Sequence, residues 1–150
     1  MPTRRALLAQ AALLPALALA RPARAAEPEI FARDGIALGG ADPVGYFTGG
    51  GPVAGSAAEA LMWRGAVWMF ASARNRMAFE MDLTSYCPRF GGYCAWAMAR
   101  GNLEPTVSEA WTIHEGRLYL NSSLEIRSRW QGDIPAVIAR AEANWPGVLG

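Results

Sequence analysis

The chain has 150 residues, of which 52% are hydrophobic, 10% aromatic and 18% charged. That is one domain's worth of sequence, apolar enough to bury a core and too apolar to stay disordered. All fourteen cationic residues are arginine, which excludes a catalytic Schiff-base or P-loop lysine. Two cysteines and one histidine are too few for a four-ligand Cys/His zinc site, and no apolar run reaches the roughly 18–20 residues of a membrane-spanning helix.

Residues 1–25 read as an export signal. Thr3-Arg4-Arg5 leads into an apolar stretch from Ala6 to Ala20, interrupted by Gln10 and Pro15, and Ala23-Arg24-Ala25 offers a signal peptidase its small residues. Cleavage is expected after Ala25, with Ala26 the alternative. The adjacent Arg4 and Arg5 followed by Ala6-Leu7-Leu8 fit the twin-arginine type, which carries folded proteins, against the ordinary unfolded-chain route. The expected location is the periplasm, and the remaining domain spans 26–150. It keeps ten arginines against thirteen acidic residues, a net charge of −3. With no basic cluster left, nucleic-acid binding has no electrostatic footprint. An oxidising compartment would permit the two cysteines to pair.

Along this domain, Ile30-Phe31 and Ile36-Ala37-Leu38 read as short extended pieces. Asp42-Pro43-Val44-Gly45-Tyr46-Phe47 reads as a turn running into a strand, broken by Gly49-Gly50-Gly51-Pro52. Ser56 and Glu59 have the spacing of a capping box, predicting a helical turn there. A hairpin follows, with Leu61-Met62-Trp63, a turn at Arg64-Gly65, and Val67-Trp68-Met69-Phe70; Trp68 and Phe70 share its core face. Ser72 caps a helix over Ala73 to about Met81 whose buried stripe is Ala73, Met77 and Met81.

Pro88, Gly91 and Gly92 mark a loop, and Tyr93 to Ala99 has the composition of a short helix ended by Gly101-Asn102. A second hairpin joins Trp111-Thr112-Ile113-His114 through Glu115-Gly116 to Leu118-Tyr119-Leu120. Ser122 and Glu125 predict another capped helix, containing Ile126 and Trp130. Asp133 caps the last one, where Ile134, Val137, Ile138, Ala141 and Trp145 follow helical spacing. Trp68 and Phe70 are expected to pack on helices that include Met77 and Trp145. No repeat of 20 to 50 residues is visible, although the two hairpin-plus-helix units look loosely alike. The predicted class is α+β, a small antiparallel sheet built from two hairpins with helices packed on it.

Asp42-Pro43-Val44, the run Trp63-Arg64-Gly65-Ala66-Val67-Trp68-Met69-Phe70-Ala71-Ser72, Phe79 and Tyr86 together resemble the YHS domain. With Gly91-Gly92-Tyr93-Cys94-Ala95 and the Trp111-to-Asn121 hairpin, the chain resembles the exported, single-domain branch of that family from about residue 34 to Pro146. The resemblance implies heavy-metal handling, with a soft metal such as copper as the cofactor, and relatives that look like selenoproteins imply chalcogen chemistry near the cysteine loop. The chain departs from the metal-associated pattern where Gly45 and Ala71 replace two cysteines, which removes two thiolates that would suit a soft metal.

Cys87 and Cys94 remain, in a Cys-x6-Cys segment with four readings. They could form a structural disulfide closing an eight-residue loop, worth roughly 2.5 kcal/mol in the chain-entropy account. They could be a reactive pair, with Cys94 at a helix start near Arg89 and Cys87 as resolving thiol. They could contribute one or both thiolates to a soft-metal site, with His114 as a further ligand candidate, or be two inert thiols. His114 is expected to be exposed beside its turn. Asp42 is expected to bond backbone amides at its Asp-Pro turn. A pocket lined by Tyr46, Tyr93 and Trp96 is the sharper alternative to core packing of these rings. Three functions follow: a small exported protein binding a metal ion or small ligand around the Gly91–Cys94 loop, a thiol-based redox protein using Cys94, or a disulfide-stapled module contacting another protein.

Overall fold

Two β-hairpins, each followed by a serine-capped helix, organise the computed structural model, which describes residues 25–150. The predicted export signal, with Arg4 and Arg5, lies outside the described residues apart from Ala25. Strands β1 (Ala32–Arg33) and β2 (Ile36–Ala37) make an entry hairpin, and β3 (Ser56–Trp63) and β4 (Ala66–Phe70) make the first large one. β2 runs parallel to β4, so the sheet order is β1-β2-β4-β3. β5 (Trp111–His114) and β6 (Arg117–Leu120) form a separate two-stranded sheet.

The helices are α1 (Gly45–Thr48), α2 (Ala73–Met81), α3 (Leu83–Tyr86), α4 (Ala95–Met98), α5 (Leu124–Gln131) and α6 (Ile134–Asn144). The class is α+β with helices packed on small sheets; the two hairpins occupy separate sheets, one of them mixed. Among the described residues, no helix is long and apolar enough to cross a membrane.

Both large hairpins turn through two residues of positive φ, Arg64 and Gly65 at 47° and 76°, Glu115 and Gly116 at 49° and 71°. Left-handed backbone at both central positions is what a tight hairpin between twisted strands requires. Ser72 caps α2 by accepting from Asn75 N–H at 3.2 Å, and Asp133 caps α6 by accepting from Ala136 N–H at 3.4 Å, as predicted.

Several expectations give way to tertiary structure. The predicted strand after Asp42 is helix α1: Asp42 Oδ1 accepts from Val44 N–H (2.8 Å) and Gly45 N–H (3.3 Å), so the carboxylate caps the turn while Pro43 supplies a helix-compatible φ. The predicted helical turn at Ser56 is strand β3, because pairing with β4 satisfies its backbone more fully than a capping box would. Glu59 meets Arg76 of α2 at 3.1 Å instead. The cap of α5 is Ser123, one residue beyond Ser122, accepting from Ile126 N–H at 3.1 Å. The predicted buried stripe of α2 faces outward, with Met77 60% and Met81 81% exposed. α2 turns Phe79 inward, and Asn75 with it, because the Asn75 amide donates to Asp42 Oδ2 at 2.7 Å.

Two cores result. In the first, Trp68 and Phe70 pack around Phe79, with ring centroids 5.1 and 5.2 Å from it. The second gathers Phe90, Tyr119, Trp130 and Val137, with Trp145 against its edge. Trp68 and Phe70 therefore face a core as predicted and pack on α2, the helix that includes Met77, through its Phe79; Trp145 lies instead against the second core. Four guanidinium groups stack over aromatic rings: Arg64 on Trp63, Arg89 on Phe90, Arg100 on Trp96 and Arg127 on Trp111.

The halves of the fold also repeat each other at a spacing of 51 or 52 positions. Leu38-Gly39-Gly40 and Phe90-Gly91-Gly92 both have φ values of 55°, 61° and 85°. Asp42 N–H donates to Val53 O at 2.8 Å, and Cys94 N–H donates to Glu104 O at 3.1 Å. The turn at Arg64-Gly65 matches Glu115-Gly116, cap Ser72 matches Ser123, and cap Asp82 of α3 matches Asp133. The ring pair Trp68–Phe79 (5.1 Å, 34°) matches Tyr119–Trp130 (5.5 Å, 38°). This repeat escapes the sequence because the residues kept are mainly turn glycines and helix caps, while the core positions keep only their apolar or aromatic character.

Candidate functional site

The segment from Cys87 to Tyr93 leaves α3 extended, then turns left-handed through Phe90, Gly91 and Gly92. Gly91 seats this turn on the entry segment: its carbonyl accepts from Phe31 N–H at 2.9 Å, and a Cβ on it would lie 1.8 Å from Glu29 O. Between this turn and the tip of the first large hairpin lies a cavity of about 280 Å³. Its apolar walls come from Trp63, Leu83, Pro88, Phe90 and Trp145, and its charged rim from Arg64, Arg89 and Glu29. Arg64 pairs with Glu29, and Arg89 Nη2 pairs with Glu142 Oε1 at 2.9 Å, with all four side chains between one-third and one-half exposed. Exposed pairs of this kind are worth only about 0–1 kcal/mol, so either guanidinium can change partner at little cost.

Cys87 lies in the wall of this cavity, half-buried, its Sγ 3.7 Å from Pro88 O. Burial pushes its thiol up from the ordinary 9.0 to about 12; the Arg64 and Arg89 guanidiniums pull it down and the Glu29 carboxylate pushes it up, all less strongly. At neutral pH the group is a neutral thiol. Because the folded value is raised, its contribution to stability is present below about pH 9, where the unfolded chain is also protonated, and is lost as pH rises from 9 towards 12. Alkylation of Cys87 by iodoacetamide in the native protein at pH 8 is therefore expected to run about a thousandfold slower than for a free thiol, rising about tenfold per pH unit towards pH 12. A native rate equal to that of the unfolded chain would contradict this burial.

The remaining sequence-predicted residues are placed elsewhere. Cys94 is fully enclosed, and its Sγ donates to Asn121 Oδ1 at 3.6 Å. Both cysteines are free thiols in this structure, which therefore does not carry the disulfide, one of the four readings of the pair. Cys94 does stand at the start of a helix, but α4 begins at Ala95 rather than Tyr93 and has only four residues. His114 ends β5, its side chain 29% exposed rather than free in solvent, with Nε2 3.9 Å from the Glu115 carboxylate. Among the described residues, no three His, Cys, Asp or Glu side chains cluster as a metal site would require. Cys87, Cys94 and His114 thus do not assemble a soft-metal centre: Cys94 is enclosed on the Asn121 amide, Cys87 lines the cavity, and the His114 imidazole stands at a hairpin turn.

Tyr46, Tyr93 and Trp96 line no common pocket. Tyr46 lies in the first core, its hydroxyl donating to Ser108 O at 3.1 Å and its pKa raised by burial and then by the Glu109 carboxylate. Tyr93 donates to Pro28 O at 2.9 Å from the second core, and Trp96 packs at that core's edge beneath Arg100. Asp42 does what its Asp-Pro turn predicts and more, since Ala71 N–H also donates to its Oδ2 at 2.8 Å. The sequence reading missed Arg64, Arg89 and Trp145 as cavity residues. The one available signal was an arginine in a left-handed turn position, where asparagine or glycine is the usual choice. No family model, curated protein or solved structure matches the chain.

Proposed function

We propose that this chain is a small exported binding protein of the YHS type, and that the cavity between Arg64 and the Cys87–Gly91 turn takes a small organic carboxylate. The observation that carries this reading is two weakly committed guanidiniums beside a cavity of about 280 Å³ whose mixed polar and apolar wall includes Trp63, Phe90 and Trp145. That volume sits at the small end of ligand sites. A carboxylate entering it exchanges for Glu29 on Arg64 and accepts a forked pair of N–H bonds, a geometry suited to arginine. An apolar body can then rest against Trp63, Phe90 and Trp145. Cys87 adds a soft neutral wall. The matching positions of the second half hold His114, Glu115 and Ile138 in place of Trp63, Arg64 and Cys87, so this combination of residues belongs to the first half alone.

The thiol-redox reading has no comparable support, because Cys94 is enclosed and Cys87 is held protonated. The experiment is a titration with phenylacetate, benzoate and branched aliphatic acids, followed by tryptophan fluorescence, with the corresponding amides as controls. Arg64→Asn removes the guanidinium and places a residue suited to the turn, so the fold is expected to keep its stability. Carboxylate affinity is expected to fall at least about tenfold, some 1.4 kcal/mol. No fluorescence change with any acid up to about 10 mM, a level that detects even millimolar affinity, would overturn the proposal. So would equal binding by the amides.

A further inference from the structure

We infer that the two halves are copies of one unit, and that Cys94 and Asn121 together are the second copy's version of Asp42, a latch that seats the Gly-Gly turn. In the first copy a single fully buried carboxylate does this work. Two residues past the Leu38-Gly39-Gly40 turn, Asp42 collects Val44 N–H and Gly45 N–H on one oxygen. Ala71 N–H, at the end of β4, and the Asn75 amide of α2 donate to the other. One side chain thereby ties the turn, α1, the last residues of the strand and the following helix together.

Cys94 stands 52 positions later, two residues past Phe90-Gly91-Gly92, and carries no acceptor of comparable strength. The acceptor has moved across to the residue that follows β6. Asn121 occupies the position matching Phe70 and is fully buried. Its Oδ1 accepts from Trp96 N–H at 3.2 Å, the donor that matches Val44 N–H in the first copy. The same oxygen accepts from Cys94 Sγ at 3.6 Å. A charged acceptor on the turn has become a neutral acceptor just past the end of β6 plus a thiol donor on the turn, and the connection between them is kept. The parallel bridge between Cys94 and Leu120, and the bond from Asn121 N–H to Ala110 O at 2.9 Å, hold the two partners in place. Cys94 is accordingly a positioning residue: through Asn121 it fixes the turn whose Phe90 and Gly91 form one wall of the cavity. This role does not depend on what the cavity binds.

The test is a double-mutant cycle read by urea midpoint and by hydrogen exchange of the Trp96 amide. Cys94→Ser keeps a donor to Asn121 and is expected to hold the wild-type midpoint, whereas Cys94→Ala lowers it. Asn121→Ala lowers it further and speeds Trp96 exchange at least tenfold, and adding Cys94→Ala to Asn121→Ala costs nothing more. Additive shifts, or Cys94→Ser behaving as Cys94→Ala does, would overturn the inference. Should Asn121→Ala not fold, Asn121→Asp takes its place. A carboxylate already does this job in the first copy, so that variant is expected to fold with Trp96 exchange unchanged. An unfolded Asn121→Asp, or a Trp96 amide exchanging tenfold faster in it, overturns the inference as well.

Discussion

Gly91→Ala is expected to cost about 3–5 kcal/mol of stability, at the upper end of what single substitutions do. Two effects combine. A φ of 61° is a conformation in which a Cβ is strained, and that Cβ would lie 1.8 Å from Glu29 O, a backbone atom with no flexible end to give way. Relief requires lifting the turn off the entry segment, which breaks the bond from Phe31 N–H to Gly91 O and opens the cavity. Gly35→Ala separates the two contributions, since Gly35 has a φ of 78° and a Cβ there would meet nothing within 4 Å. That control is expected to cost only about 1 kcal/mol. Chemical denaturation of both variants measures the difference, and equal losses would show that the contact with Glu29 is not binding the turn down.

Trp68→Ala is the second large effect, expected at about 3–5 kcal/mol. Trp68 is 1% exposed, packs at a tilt against both Trp63 and Phe79, and donates from Nε1 to Trp63 O at 3.1 Å. Truncation leaves a void lined by rings that cannot collapse into it, because each is held by further aromatic neighbours. Met77→Ala on the outer face of α2 is expected to stay within about 0.5 kcal/mol, as its 60% exposure implies. Reversal of the two results in a urea titration would mean that α2 presents its methionines to the core after all.

Much of the fold is legible wherever a local rule and the tertiary structure agree. Both large hairpins are readable because a left-handed residue followed by glycine sits between apolar runs, at Arg64-Gly65 and Glu115-Gly116. The caps at Ser72 and Asp133 are readable for the same kind of reason. Errors arise where a polar residue is buried with a partner distant in sequence. Asn75 points inward because Asp42, 33 positions away, needs its amide, and no helical stripe counted on apolar residues could include it. The Ser56–Glu59 spacing is a true capping pattern whose residues found better partners in β4 and Arg76. Of the candidate site, the Gly91 turn was legible through its glycines. The arginines were not, because Arg64 and Cys87 come together only when the hairpin tip folds over the turn after α3.

The four stacked guanidiniums bear on how the aromatic rings near the molecule's surface meet water. Trp63, Trp96 and Trp111 are partly buried at the edge of a core, where an uncovered ring face would be a sticky spot for another molecule, whereas Phe90 is itself a core residue. A guanidinium lies 4.5–5.8 Å from each ring centroid, turning an oily face into one that water can wet. A flat, weakly hydrated cation does this better than a compact ammonium, which gives a physical rationale for a chain that uses arginine at every cationic position. The arginines thus cover ring faces as well as carrying charge, and two of the four, Arg64 and Arg89, also line the cavity beside the Gly91 turn.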